Sequence, residues 1–160
     1  MRQAEGVIAG KPLREVDVPA AVHELALGRP ISAVWKNELG GLTFQIGVGP
    51  GRWFVKWAPA ESGIDLNREA ERLVWAARWT PVPRLLDRGA DPDGSWIVTA
   101  GLGGETAVAD RWKADPAAAV KAIGLGLRQL HEALPVGACP YSWSARERVP
   151  MPSKEVSAAS

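Results

Sequence analysis

A lysine inside an otherwise apolar strand constrains this chain more than any other feature. In the segment Trp53-Phe-Val-Lys56-Trp57, alternation along a strand places Phe54 and Lys56 on one face and the other three side chains on the opposite face. An unpaired buried ammonium is strongly destabilising, so Lys56 must either extend to water or meet an anion. An edge-strand lysine that only extends to water is the commoner of these two situations.

A carboxylate partner for Lys56 is predicted on the strongest helix of the chain, from Asp65 to Trp79. Apolar residues recur there at helical spacing and form one stripe, made of Leu66, Ala70, Leu73, Val74 and Ala77. At about 100° per residue, Glu69 lies roughly 85° from the centre of the stripe and Glu71 roughly 115°. Glu69 therefore borders the buried face, and we expect it rather than Glu71 to pair with Lys56.

Short strands are predicted on both sides of this helix, after a first helix that starts near Pro19 and runs to Leu27. The turns between the strands contain Gly, Pro, Asn and Asp, and the first three strands form an antiparallel meander. One of the turns, Asn37-Glu-Leu-Gly40-Gly41, carries two adjacent glycines. The predicted strands are residues 31–35, 42–46, 52–57, 84–87 and 95–100.

The second half of the chain is predicted to be helical. Three glycines between 101 and 104 interrupt regular structure, which makes this segment the best domain boundary. Asp115-Pro116 is a strong helix start, and an apolar stripe continues to Leu134, before Pro135 ends the helix. Little sequence follows this helix, so its apolar face lacks a visible cover.

Composition and charge exclude several classes of function. A net charge of +1 without a basic block argues against nucleic-acid binding. Cys139 is the sole cysteine, which excludes an internal disulfide, and with two histidines it disfavours a structural zinc site. No apolar run is long enough to cross a membrane, and the first residues lack a signal-peptide core, so we expect a cytoplasmic protein.

Four motifs together resemble the aminoglycoside phosphotransferases, most closely the aminoglycoside 3'-phosphotransferase branch of the protein-kinase-like fold. Each motif is weak alone, but their order and spacing match the family from about Val34 to Val149. The first pairs a segment like the family's αC helix with one like the strand after it. The others are similar to the hinge strand, to the first large-lobe helix and to a short motif after that helix. The segments are Glu69-Ala-Glu-Arg-Leu-Val-Trp75 with Pro81-Val-Pro-Arg-Leu-Leu-Asp87, Trp96-Ile-Val-Thr-Ala-Gly-Leu-Gly-Gly104, Leu127-Arg-Gln-Leu-His131 and Cys139-Pro-Tyr141.

The resemblance implies an α+β fold: a kinase-like small lobe, an antiparallel sheet with an αC-type helix, followed by a hinge and the first helices of a large lobe. We expect residues 1–16 to be a loosely ordered N-terminus and residues 150–160 a disordered tail. Between them, the expected units are the small lobe at 17–100, the hinge at 101–104 and an incomplete large lobe at 105–149.

The resemblance also implies roles in binding ATP with Mg²⁺. Lys56 is similar to the lysine that holds the α- and β-phosphates, and Glu69 to the glutamate that orients this lysine. The turn that includes Gly40, Gly41, Leu42 and Thr43 lies where the family's nucleotide loop covers the phosphates, although it lacks a G-x-G-x-x-G motif and also fits an ordinary hairpin turn. Ala100 and Leu102 match hinge positions whose backbone groups would bind adenine.

The residues that perform the family's chemistry have no counterpart in this chain. In the family, a His-Gly-Asp loop followed by Asn, and then an Asp-x-Gly segment, supply the catalytic base and the metal ligands. His23 and His131 are the only histidines, and neither precedes a glycine. We therefore assign no catalytic and no metal-binding residue, and expect a truncated, frameshifted or cut form of an aminoglycoside kinase that is inactive alone.

Two other classes of function stay open at this stage. The uncovered apolar stripe of residues 120–134 suggests a non-catalytic protein that binds nucleotide or docks a partner, including a second copy of itself. Eight tryptophans would suit a β-rich carbohydrate-binding module, but the two long helices argue against that class.

Overall fold

The computed structural model describes residues 9–107 and 109–142, which form a six-stranded antiparallel sheet and four α-helices. The strands follow the order β1-β2-β3-β4-β6-β5 across the sheet. This α+β architecture agrees with the expected kinase-like small lobe followed by helices. The strands are β1 (Ala9–Gly10), β2 (Ile31–Asn37), β3 (Leu42–Ile46), β4 (Trp53–Pro59), β5 (Leu85–Ala90) and β6 (Gly94–Ala100). The helices are α1 (Ala20–Ala26), α2 (Leu66–Ala76), α3 (Asp110–Ala114) and α4 (Pro116–Ala133).

The two faces of the sheet are covered by different helices. On one face, Val22 and Ala26 of α1 pack with a buried cluster from the central strands that includes Phe44, Val55 and Val98. On the other face, α2 packs against Ala58 of β4 and Ile97 of β6. Because β4 contributes to both clusters, its alternate residues are divided between the two faces, as the strand pattern predicts.

Helix α2 presents a narrower apolar face than its sequence predicts. Asp65 caps the helix by accepting a hydrogen bond from the Arg68 N–H at 3.0 Å. Leu66 and Ala70 are buried and Leu73 packs against them, but the prediction was wrong for Val74, which is 49% exposed, and for Ala77, which is exposed and follows the last helical residue. Val74 lies about 70° around the helix from the line of Leu66, Ala70 and Leu73 that contacts the sheet. Ala77 is in line with those residues but follows the end of the helix.

The segment after β6 leads into helices that pack loosely. Short helix α3 was not predicted, whereas α4 matches its predicted span closely. Asp115 caps α4 by accepting a hydrogen bond from the Ala118 N–H at 3.0 Å. Within the described part of the chain, α4 has no buried residue, and its apolar residues Val120 and Leu127 are 69% and 50% exposed.

The chain ends differ from the expected units where they can be compared. Residues 9–16 were assigned to a loose N-terminus, yet Ala9 and Gly10 pair with β2 and Val16 packs on the core. Residues 1–8 and the expected tail at 150–160 lie outside the described residues. No helix in the described ranges has the length and apolarity needed to span a bilayer.

Candidate nucleotide-binding site

The predicted ion pair between β4 and α2 is confirmed. The Lys56 Nζ atom lies 2.8 Å from Oε1 and 2.7 Å from Oε2 of Glu69, so the ammonium meets both carboxylate oxygens. Lys56 stands opposite Thr43 of β3 and Ile97 of β6 in the sheet, on the face that α2 covers. Glu71 is exposed, which agrees with the helical positions of the two glutamates.

The pair is open to solvent, and this determines what it can do. The Lys56 and Glu69 side chains are 42% and 40% exposed. A pair with this exposure contributes about 1 kcal/mol or less to folding stability, because water screens both charges. The more important effect of the pair is on geometry. The Glu69 carboxylate holds the Lys56 ammonium in place, and this ammonium can still donate to a second anion.

The ion pair borders a cleft of about 490 Å³ between the turn after β2 and the start of α2. Gly41 and Thr43 line it on the turn side, with Lys56 opposite and Leu66 at the α2 end. Leu42 also borders the cleft, but its side chain is buried in the core on the α1 side. Of the turn residues named from the sequence, Gly41 and Thr43 are therefore brought to the same cleft as Lys56.

The glycine turn is closed by the side chain of Asn37. Asn37 Oδ1 accepts hydrogen bonds from the N–H groups of Leu39 at 3.0 Å and Gly41 at 2.8 Å. The Gly40 N–H donates to the Asn37 carbonyl at 3.2 Å, and Gly40 has a φ of 84°, which favours glycine. The N–H groups expected to approach an anion are thus bonded within the turn, and Asn37 Oδ1 takes the place of an external acceptor.

A second cleft, of about 710 Å³, lies along the same side of the sheet toward the predicted hinge. It shares Trp35 with the first cleft. Gln45 and Phe54 line its floor, and Gly104 lies at its hinge side. Alternation in β3 and β4 places Gln45 with Thr43 and Phe54 with Lys56, so the two clefts form a continuous surface.

The predicted hinge residues leave the sheet beside this second cleft. The Ala100 N–H donates to the Arg84 carbonyl at 2.9 Å, so it is used by the sheet. The Leu102 carbonyl accepts from Arg52 Nη2 at 2.7 Å. The Leu102 N–H has no hydrogen-bond partner within residues 9–107 and 109–142.

Arg52 is a residue that the sequence analysis missed. Its guanidinium donates to the carbonyls of Gly49 and Leu102 and lies 6.0 Å from the centre of the Phe54 ring. It therefore joins the turn before β4 to the hinge. No local pattern could have indicated this, because Arg52 and Leu102 are 50 residues apart. Gln45 could have been found, since it lies two residues after Thr43 in the same strand.

Acidic, histidine and cysteine side chains do not gather into a metal site in the parts of the chain that are described. No group of three or more such residues could hold an ion there.

The antiparallel sheet and the αC-type helix with its ion pair define a kinase-like small lobe, which is followed by helices. The model of the phosphotransferase enzyme family matches residues 32–159, and the chain belongs to this family. An aminoglycoside 3'-phosphotransferase of Streptomyces fradiae is 39% identical over 116 residues, which are 68% of this chain and 42% of that protein.

Two further relatives carry the same name. The aminoglycoside 3'-phosphotransferase of Streptomyces ribosidificus is 45% identical over 112 residues, or 66% of this chain and 41% of that protein. That of Escherichia coli is 30% identical over 91 residues, or 56% of this chain and 33% of that protein. The chain thus spans about two fifths or less of the length of the curated relatives it matches.

Replacement of Gly41 by alanine should destabilise the turn. A Cβ at this position would lie 2.8 Å from both Asn37 Nδ2 and Ile64 Cδ1, so the Asn37 side chain would have to move and give up its bonds to the turn. We expect Gly41→Ala to lower the free energy of unfolding by about 1–2 kcal/mol in urea denaturation.

Gly51→Ala is the matched control, because a Cβ there meets no atom within 4 Å and its φ is not positive. It should change the free energy of unfolding by about 0.5 kcal/mol or less. Equal unfolding midpoints for the two variants would show that the turn does not depend on close packing around Asn37.

Proposed function

We propose that this chain supplies the nucleotide-binding lobe of an ATP-dependent phosphotransferase whose acceptor is a hydroxyl of an aminoglycoside or a similar small molecule. The observation that carries this proposal is the solvent-open ion pair of Lys56 and Glu69 at the edge of a cleft. Membership of the phosphotransferase family supports the reaction class. The acceptor class rests on the names of the matched relatives.

Lys56 is the residue that we propose to bind phosphate. Its ammonium has three donors, and two carboxylate oxygens of Glu69 hold it in place. A phosphate oxygen entering the cleft would meet a cation whose position is already fixed, so little reorganisation is needed. Thr43, the cross-strand neighbour of Lys56, adds a hydroxyl on the same face.

In this proposal, backbone N–H groups of the turn containing Gly40 and Gly41 bind the phosphates only after their hydrogen bonds to Asn37 are broken. Asn37 Oδ1 now accepts the N–H groups of Leu39 and Gly41. A phosphate oxygen is a stronger acceptor than a neutral amide oxygen, because its charge strengthens the hydrogen bond. Nucleotide binding would therefore replace Asn37 at these N–H groups.

The second cleft suits the base of the nucleotide. The ring of Phe54 and the indole of Trp35 line it, and aromatic faces are good surfaces for a planar ring. The Leu102 N–H, which has no partner among the described residues, can donate to a ring nitrogen, and the Ala100 carbonyl is the proposed acceptor for an amino group. Ala100 can contribute only its carbonyl to this site, because its N–H is bonded to the Arg84 carbonyl.

ATP enters such reactions as its Mg²⁺ complex, and the ion shields the charge that develops on the phosphates. The described residues include the proposed phosphate contacts, and no group of three or more acidic, histidine or cysteine side chains among them could hold the ion. A cytoplasmic location fits a protein that uses ATP and has a single cysteine.

Loss of the Lys56 charge should weaken ATP binding. Lys56→Met removes a charge-assisted hydrogen bond to phosphate, so we expect the dissociation constant for ATP to rise about tenfold or more in isothermal titration calorimetry. Glu69→Gln should weaken binding less, because the ammonium is kept but its position is no longer fixed.

Lys36→Met is the matched control for this measurement. Lys36 stands opposite Leu42 and lines a different cavity, together with Glu15 and Asp17. It should leave the ATP affinity unchanged. Equal losses in the Lys56 and Lys36 variants would contradict the proposed phosphate site and point to a general effect of charge.

The 160-residue chain should not transfer phosphate by itself. Its sequence has no His-Gly-Asp loop, and its Asp-x-Gly tripeptide, Asp87-Arg-Gly89, lies in β5 instead of after such a loop. No group is therefore assigned to accept the proton of the acceptor hydroxyl. We expect no labelled product from kanamycin or neomycin with γ-labelled ATP. Phosphorylation that is present in the wild type and absent in Lys56→Met would overturn this expectation.

Self-association through α4 is a second candidate function. The exposed apolar residues Val120 and Leu127 lie on one stripe of this helix, and an exposed stripe of this kind favours contact with a second copy. We expect concentration-dependent dimers in analytical ultracentrifugation, which Leu127→Glu should abolish. Glu71→Lys, a charge change on an exposed residue of α2, is the control. A strictly monomeric wild type would exclude this function.

A further inference from the structure

A cavity separates α2 from the segment that follows α4, and Glu69 lies at its edge. The cavity has a volume of about 490 Å³. On the α2 side it is lined by Glu69, Leu73 and Ala76, and on the other side by Leu130 and Leu134 among others. Helix α2 therefore has an open space beside Glu69, the residue that holds Lys56 in position.

Tyr141 also lines this cavity and contacts α2 through its ring. The Tyr141 and Trp75 ring centres are 6.1 Å apart with an interplanar angle of 88°, the edge-to-face arrangement that aromatic pairs prefer. The Arg72 guanidinium lies over the same ring, 5.6 Å from its centre. Arg72 is three residues after Glu69 and hence its neighbour on the helix surface.

The contacts of α2 with the sheet restrain the helix on the side opposite Tyr141. Leu66, Ala70 and Leu73 hold the helix against the sheet, and these side chains restrain its distance from β4 and β6. Displacement of the helix toward the cavity would separate the Glu69 carboxylate from Lys56, which is fixed in β4. Tyr141 lines this cavity and contacts Trp75 and Arg72 of α2, so its ring opposes movement of the helix into the cavity.

We infer that Tyr141 is a positioning residue for the Lys56–Glu69 ion pair: its ring holds α2 from the far side of the cavity and so keeps Glu69 against Lys56. The effect on ATP binding rests on the function proposed above, whereas the effect on the ion pair does not. The geometry of the pair is thereby linked to the segment Cys139–Tyr141, which lies beyond the hinge and α4.

The test measures the ion pair directly, without nucleotide. Reductive methylation of lysines, followed by peptide mass spectrometry, reports how often each ammonium is free to react, with Lys36 and Lys121 as internal references. Tyr141→Leu keeps an apolar side chain but removes the ring. We expect it to raise Lys56 labelling about twofold to tenfold, the range for the loss of one aromatic pair. Tyr141→Phe keeps the ring and should stay at the wild-type level.

A double-mutant cycle separates positioning from general loosening. In Glu69→Gln, Lys56 is already unpaired, so adding Tyr141→Leu should cause no further rise in labelling. Trp79→Leu is the matched control, because Trp79 is an exposed aromatic residue just after α2 and should leave Lys56 labelling unchanged. Circular dichroism checks that each variant is folded. If Tyr141→Leu is unfolded, Trp75→Leu removes the same ring pair from the α2 side and carries the same expectation.

Either of two results would overturn the inference. One is wild-type Lys56 labelling in folded Tyr141→Leu, and the other is an equal rise in the presence and absence of Glu69→Gln. ATP titration of the same variants then tests the link to function, with a weaker affinity expected for Tyr141→Leu. A wild-type chain that binds no ATP would contradict the proposed function and leave the labelling cycle to decide on Tyr141.

Discussion

The alternation of side chains along β4 is the constraint on which the candidate site depends. Val55 joins the core beneath α1, and its neighbour Lys56 must therefore emerge on the face that α2 covers. A shift of one residue in register would bury the ammonium and expose the valine. The buried cluster around Phe44 and Val55 thus fixes, from the opposite side of the sheet, the face on which Lys56 lies.

Local periodicity explains why the centre of the site could be predicted. The side-chain period of two in β4 and of 3.6 in α2 are local properties, and together they assign Lys56 and Glu69 to the same side of the sheet. The strands and the long helices follow from the same signals. The resemblance to a known family added the expected order of the elements, and the antiparallel sheet followed by helices agrees with it.

Features that depend on side-chain packing or on distant contacts could not be predicted in this way. The stripe on α2 was drawn through Val74 because the residue is apolar, but the sheet contacts only a narrower line of the helix. The bonds from Asn37 to the turn depend on one rotamer of its side chain. The contact of Arg52 with the hinge joins residues far apart in sequence, for which no periodic pattern exists.

The two bonds that Arg52 makes with the hinge limit where the chain can bend. The Gly101 N–H donates to the Arg52 carbonyl at 3.0 Å, and the Arg52 guanidinium holds the Leu102 carbonyl. Gly101 and Leu102, the first two residues after β6, are therefore held to the sheet by hydrogen bonds with Arg52. Any pivot between the sheet and the helices must begin at Gly103 and Gly104, where a φ of 117° at Gly104 is a conformation that other residues rarely adopt. A movement of the predicted hinge would therefore involve only its last two residues, which have no side chain to restrict their backbone angles.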